Sequence, residues 1–239
     1  MSDYNIANPH DYDHRHADIG AGWLRASVFG AMDGLVSNLG LIAGIAAAGA
    51  APGIVAITGI SGLIAGAVSM ALGEYTSVRT ANEQLDAEVR IEREAHLRNP
   101  EGEMAELTAL LENLGVEPRI AETAAEQVHA NADQAVRVHL LSELGVSPEE
   151  QPSPWVAAFS SLVAFGVGAL IPILPFIFGF GTLGFGLAFG GVGLLIAGGL
   201  AARFTKRNWL MGAARQLLFG GIAVAATYTI GSLLGVSVA

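Results

Sequence analysis

The chain has 239 residues, of which 52% are apolar, and it carries a formal net charge of −10 without a single cysteine. The absence of cysteine excludes disulfide frameworks, thiolate metal sites and cysteine nucleophiles, and the acidic balance argues against nucleic acid as a partner. The charge is confined to one part of the chain: residues 79–150 hold sixteen acids and six bases, whereas residues 151–239 hold four bases and no acid.

The N-terminal residues MSDYNIANPHDYDHRHADIG are polar and acidic, and they lack the apolar core of a signal peptide. We therefore predict a cytosolic tail over residues 1–22. Its histidines His10, His14 and His16 are candidate metal chelators, although metal binding would have to order the tail.

Apolar segments of the length that a bilayer requires, roughly 20 residues as a helix, follow the tail. We predict five transmembrane helices, over residues 24–48, 54–77, 155–177, 182–202 and 211–234. The sequence GAAPG forms a tight turn after the first span, and FGFGTLGFG breaks the uncharged stretch 155–202, which is too long for one crossing. Pro172 and Pro175 are placed to end the third span early. The spans form two transmembrane units, residues 23–78 and 151–239.

The lysines and arginines fix the expected orientation. If the five spans alternate, all twelve bases fall on the side of the tail, residues 79–150 and the 203–215 loop. Because positive loops stay in the cytosol, we expect this side to be cytosolic.

Residues 79–150 predict an acidic cytosolic domain of three helices, inserted between the second and third spans of an all-α membrane protein. Asn99 is a candidate N-cap before Pro100, and helix ends are expected at Gly115 and Gly145. The region between these glycines reads equally well as one long helix or as two shorter ones. Apolar residues predict one face of the helix after Pro100: Met104, Leu107, Leu110, Leu111 and Leu114.

Asp33 is the clearest functional candidate, because it lies in an apolar span with no lysine or arginine within seven residues. An ionisable group inside a membrane costs about 3 kcal/mol and is a functional hypothesis by default. The GAAPG turn makes the first two helices antiparallel, which brings Asp33 to the same half of the membrane as Met70 and Glu74. A carboxylate facing a thioether suits a first-row divalent metal better than Mg²⁺ or Na⁺. Two structural alternatives stay open, in which Met70 fills a packing gap and Asp33 bonds a neighbouring helix.

The acidic domain carries candidate ligands for Fe²⁺, Mn²⁺ or Zn²⁺. Glu103 and Glu106 share a helix face, Glu92 lies on the helix before them, and His139 and Glu143 are four residues apart. Weaker candidates are Glu126 and His129, which match the Glu-x-x-His spacing of di-iron bundles. The alternative for these acids is a solvated helix surface.

The segments GWLRASVFGAMDGLVSNLGLIAG and GLIAGAVSMALGEYTSV resemble the vacuolar iron transporter family, including its bacterial iron/manganese members. The resemblance covers nearly the whole chain, and its most specific parts are DG in the first span and SMALGEY in the second. It implies a homodimeric integral protein of a bacterial plasma membrane that exports Fe²⁺ or Mn²⁺ from the cytosol in exchange for protons. Such a protein serves metal homeostasis and detoxification; it is not an enzyme, and metal is its substrate without a prosthetic group.

The resemblance also implies site residues: Asp33 and Met70 in the membrane, and Glu92, Glu103, Glu106 and Glu143 in the cytosolic domain. The chain departs from the family pattern in three places. Ala95, followed by His96, replaces a glutamate, His139-Leu140 replaces a methionine pair, and AMDG stands where ANDG is common. We therefore expect fewer carboxylates and an imidazole in the cytosolic site, with His96 a weaker candidate.

Two alternative functions are weighed against this one. A membrane-anchored ferritin-like protein that binds and oxidises iron would need two Glu-x-x-His motifs and two further glutamates, and the sequence has one such motif. A scaffolding membrane protein would leave Asp33 unexplained.

Overall fold

The computed structural model describes residues 22–149 and 151–238, and the regular elements in these ranges are all helical, as predicted. The predicted tail, with His10, His14 and His16, lies outside the described residues. The helices are α1 (Gly22–Ala47), α2 (Pro52–Arg98), α3 (Pro100–Asn113), α4 (Pro118–His129), α5 (Ala132–Glu143), α6 (Pro154–Leu170), α7 (Leu174–Ile177), α8 (Leu183–Phe204) and α9 (Trp209–Val238), with a 3₁₀ turn at Ile171–Ile173.

Helices long and apolar enough to cross a membrane cover Trp23–Ala47, Pro52–Arg98, Pro154–Ile177, Leu183–Phe204 and Trp209–Gly235. They overlap the apolar segments found in the sequence, and the chain is an integral membrane protein. α2 has 47 residues and is therefore about 70 Å long, more than twice the thickness of a bilayer core. Its apolar first half accounts for one crossing, so its charged second half, from Arg79 onward, extends beyond the membrane.

The breaks between helices lie where glycine and proline require them. Gly49 has a φ of +87° in the turn after α1, and Pro52 opens α2 at a position where no backbone N–H is needed. α6 ends at Leu170, directly before the 3₁₀ turn that contains Pro172. The prolines therefore interrupt the α-helix, but α7 continues the apolar helical segment to Ile177. Gly179, with a φ of +83°, turns the chain toward α8.

α1 lies at the centre of the membrane part and packs against α2, α6, α8 and α9. Its glycines permit close approach: a Cβ at Gly34 would lie 2.3 Å from the Phe165 carbonyl oxygen of α6. A Cβ at Gly44 would lie 3.1 Å from the Thr227 carbonyl oxygen of α9. These small-residue faces are therefore used within the chain. The adjoining core joins α1 to α2, α7 and α8 through Leu35, Leu39, Ile42, Val55, Phe176 and Leu194.

After the second half of α2, the acidic region forms α3, α4 and α5. α3 and α5 pack against α2, and α4 packs against α3 and α5. The side chain of Asn99 caps α3 by accepting from Gly102 N at 3.3 Å, as its position predicted. The region after Gly115 forms two helices, because Asn131 interrupts it and caps α5 by accepting from Gln134 N at 3.1 Å. The predicted apolar face of α3 is wrong at its end: Leu107 is 2% exposed, but Leu114 follows the last helical residue and is 74% exposed.

Candidate metal sites

A cavity of about 600 Å³ lies between α1 and α2, with Phe165 of α6 also in its wall. Asp33, Met70 and Glu74, which the sequence analysis grouped together, all line this cavity. The other polar residues in its lining are Ser37, Asn38, Ser69 and Ser77. The cavity therefore brings the predicted carboxylate and thioether to one polar space among apolar helices.

Asp33 has no partner for its charge among residues 22–149 and 151–238, where its carboxylate makes no hydrogen bond or ion pair. The neighbouring Ser37 hydroxyl donates to the Asp33 carbonyl oxygen at 2.6 Å, so it is occupied by the backbone. An unpaired carboxylate in an apolar setting is costly. Its oxygens are therefore available to a cation that enters the cavity.

Glu74 differs from Asp33, because it is paired. Its side chain is 8% exposed, and its Oε2 atom lies 3.2 Å from Nη2 of Arg25 near the start of α1. The sequence analysis counted Arg25 only among the twelve bases that set the expected orientation, and it did not connect Arg25 with Glu74. The two residues are 49 positions apart in the sequence, with the turn that joins α1 to α2 lying between them, so no short-range pattern signals the pair.

Asn38 is a further polar residue in the lining of the cavity. It is 2% exposed, and its Nδ2 atom donates to the Ala169 carbonyl at 2.7 Å and to the Gly59 carbonyl at 3.2 Å. These bonds join α1 to α6 and α2 at the cavity. Its Oδ1 atom is buried without a hydrogen-bond partner. The feature of the sequence that could have identified Asn38 is a polar amide side chain within an apolar span.

A second group of potential ligands lies where α2, α3, α4 and α5 meet. Nδ1 of His139 is 2.9 Å from Glu143 Oε1, 3.4 Å from Glu92 Oε1 and 3.7 Å from Glu103 Oε2. The residues fall into three overlapping sets whose ligand atoms lie within 4.8 Å of one another: Glu92, His96, Glu103 and His139; Glu106, His139 and Glu143; and His96, His129 and His139. His139 belongs to all three sets and is 1% exposed.

The structure thus brings together all five predicted cytosolic ligands, Glu92, Glu103, Glu106, His139 and Glu143, together with the weaker candidates His96 and His129. Glu126 is exposed and belongs to none of these sets in the described part of the chain. The Glu-x-x-His pair predicted from spacing therefore does not act as a pair here, because its two side chains point to different environments. Ala95 stands where the family pattern has a glutamate, so this position supplies no carboxylate, whereas the neighbouring His96 belongs to the cluster.

Burial and neighbouring charges shift the ionisation of Glu92 and His96, which lie on the charged second half of α2. Burial raises the pKa of Glu92, and the nearby charge of Glu143 adds to the effect. Burial lowers the pKa of His96, as does the neighbouring His139. Both shifts favour the neutral forms. A divalent cation would reverse the balance for the carboxylates, because it supplies the missing positive charge.

A sequence model of the VIT family matches residues 24–232, which include both groups of residues. The chain belongs to this family. It is 38% identical to a "Vacuolar iron transporter" of Acanthamoeba castellanii over 89% of this chain and 79% of that protein. It is 29% identical to "Vacuolar iron transporter 1" of Oryza sativa over 92% of this chain and 88% of the relative. "Vacuolar iron transporter homolog 2" of the same plant is 33% identical over 88% and 89%.

Membership of the VIT family confirms the resemblance found in the sequence, and it makes the chain a member of a transporter family. The match begins at Leu24, one residue before Arg25, and includes the hairpin, the acidic domain and the last three long helices. A metal ion transporter is therefore the function class that the membrane fold and the relatives share.

Proposed function

We propose that this protein exports Fe²⁺, Mn²⁺ or both from the cytosol in exchange for protons. The observation that carries the proposal is a single cavity lined by both Met70 and Asp33, whose carboxylate has no partner among the described residues. A hard oxygen with a soft sulfur suits a first-row divalent ion. The relatives named as iron transporters support iron as one substrate.

Proton exchange follows from competition for the carboxylate of Asp33. A metal ligand must be deprotonated, so metal arrival releases a proton and metal departure allows one to bind. Glu74 is held by Arg25 at 3.2 Å, which favours Asp33 as the residue that alternates between metal and proton. Glu74, with Arg25, then lines the cytosolic end of the pathway.

Capture of metal is assigned to residues 79–150 as a cytosolic domain inserted between the second and third of five spans. Its carboxylates and His139 form overlapping sets of ligand atoms, and its surface charge attracts divalent cations. All twelve bases lie on one side of the five predicted spans, which supports a cytosolic position for this domain.

A homodimer is part of the proposal, because the cavity needs a cover. Ser37 and Ser69 line it and are exposed in the single chain. Polar groups at membrane depth are not left facing lipid, and a second copy across α1 and α2 would enclose them. Since the chain has no cysteine, Ser69→Cys should form an oxidant-dependent cross-linked dimer, and Thr229→Cys on α9 should not.

The proposed location is a bacterial plasma membrane, with the acidic domain in the cytosol. Export across the plasma membrane and transport into a vacuole both move metal out of the cytosol, so the direction of transport relative to the cytosol is the same. Protease access to the acidic domain in right-side-out and inverted vesicles tests the orientation: cleavage should occur only in inverted vesicles.

The flux experiment uses proteoliposomes that contain a metal-sensitive dye and an acidic lumen. External Fe²⁺ or Mn²⁺ should enter through molecules whose cytosolic side faces out, and the lumen should become less acidic. Asp33→Asn should abolish the flux, and Met70→Leu should reduce it while keeping the side-chain volume. Ser37→Ala is the matched control in the same cavity, because its hydroxyl is already bonded to the backbone. Full flux in Asp33→Asn would refute the mechanism.

Capture is tested separately with Glu103→Gln combined with Glu106→Gln. This variant should raise the metal concentration needed for half-maximal flux and leave the maximal flux unchanged. Glu112→Gln, an exposed glutamate on α3, is the control. Oxygen consumption during Fe²⁺ addition would favour the oxidising alternative instead.

A further inference from the structure

Three imidazoles converge from separate helices in the acidic domain. His96 lies on α2, His129 on α4 and His139 on α5. Their ring centroids are 4.8 Å apart for His96 and His139, 5.1 Å for His96 and His129, and 5.3 Å for His129 and His139. One ligand nitrogen of each ring lies within 4.8 Å of the others. All three histidines of the described residues are therefore in one place.

The hydrogen bonds of His129 and His139 leave the same ring nitrogen, Nε2, free. Nδ1 of His129 donates to the Ala125 carbonyl at 2.8 Å, and Nδ1 of His139 bonds Glu143 Oε1 at 2.9 Å. A ring whose Nδ1–H is donated to a carbonyl or carboxylate presents a bare lone pair on Nε2, as metal-binding histidines do.

The Nε2 atoms of His96, His129 and His139 are all buried and have no hydrogen-bond partner. Glu92 Oε1 is also buried without one; it lies 3.2 Å from His96 Nε2, but the contact lacks hydrogen-bond geometry. Buried polar atoms are almost always bonded. Three imidazole nitrogens with free lone pairs, on rings that lie beside one another, are donor atoms for a cation.

We propose that Nε2 of His96, His129 and His139 bind one divalent ion of the Zn²⁺ class, with a water oxygen in the fourth position. Imidazole favours Zn²⁺, Co²⁺ and Ni²⁺ over Mn²⁺, whereas carboxylate sets favour Mn²⁺, and four nitrogen and oxygen ligands match the tetrahedral preference of Zn²⁺. The domain thereby sorts ions between this site and the carboxylates Glu106 and Glu143. This inference rests on the proposed function in one respect only, namely that metal ions reach the acidic domain.

The test is a Co²⁺ titration of the full chain in detergent. In every variant and in the reference protein, His10, His14 and His16 are changed to glutamine, so that the tail contributes no imidazole ligand. Co²⁺ should give the intense visible absorption of a four-coordinate ion, and Zn²⁺ but not excess Mn²⁺ should displace it. His129→Gln should weaken Zn²⁺ binding at least about 100-fold, because loss of even outer-shell partners costs 10–100-fold. Glu126→Gln, on the same helix but outside the cluster, should change nothing.

An unchanged Co²⁺ spectrum in His129→Gln and in His96→Gln, with helix content preserved by circular dichroism, would overturn the proposal. Displacement of Co²⁺ by equimolar Mn²⁺ would also overturn it, because it would indicate a single carboxylate site. Asp33→Asn separates this result from transport: it should lose flux and keep the Co²⁺ spectrum.

Discussion

Gly168→Ala tests the close crossing of α1 and α6, the helix that contributes Phe165 to the wall of the Asp33 cavity. A Cβ at Gly168 would lie 2.2 Å from the Ala31 carbonyl oxygen and 3.2 Å from Ala31 Cα. Both atoms belong to the backbone of α1, so no side-chain rotation can relieve the contact. α1 and α6 must therefore move apart at this point. The movement displaces the part of α1 next to Asp33.

The matched control lies two residues away on the same helix. A Cβ at Gly166 would meet nothing within 4 Å, so Gly166→Ala changes only helix propensity, which favours alanine by up to about 1 kcal/mol. Gly168→Ala has the same gain but adds the overpacking cost, about 1–3 kcal/mol. The difference between the two variants isolates the clash. For a chain of this size it corresponds to about 2–12 °C in melting temperature.

The assay is thermal unfolding of the detergent-solubilised protein, followed by tryptophan fluorescence, together with Fe²⁺ flux in proteoliposomes. Gly168→Ala should melt below wild type and lose flux, and Gly166→Ala should melt at or above wild type with normal flux. Gly34→Ala, whose Cβ would lie 2.3 Å from the Phe165 carbonyl oxygen, should reproduce the effect from the α1 side. Equal melting temperatures for the two α6 variants would refute the reasoning.

Three further predictions concern polar groups. Asn38→Leu should lower the free energy of unfolding by about 1–3 kcal/mol, because it leaves the carbonyls of Ala169 and Gly59 without its amide; Ser37→Ala in the same thermal assay should be near neutral. Arg25→Gln should destabilise by about 1–3 kcal/mol, because Glu74 stays buried without its partner; Arg25→Gln with Glu74→Gln should recover most of the loss, and a more unstable double variant would contradict this. Glu92→Gln should raise the melting temperature in chelator at neutral pH and weaken metal binding. Because burial raises the pKa of Glu92 in the folded state, its ionisation costs stability as the pH rises through that pKa; a melting-temperature gain that shrinks with rising pH would contradict this.

Much of the architecture could be predicted from the sequence, because it depends on local chemistry. The apolar segments, the turn at Gly49, the interruption of the helix at Pro172 and the Asn99 cap each follow from a few neighbouring residues. Asp33 was also visible by itself, since a charge inside an apolar helix needs no partner to be noticed.

The tertiary structure decided what these residues meet. Arg25 and Glu74 are 49 residues apart, and His96, His129 and His139 come from three helices. Their meeting depends on how each helix is rotated about its axis. Membrane helices that are apolar on all sides give little periodic signal for that rotation, and the glycine contacts that set it act between backbones. The sequence determined which helices exist and which residues carry charge. Close packing alone determined that Glu74 is paired, that Asp33 has no partner in the described part of the chain and that three imidazoles lie side by side.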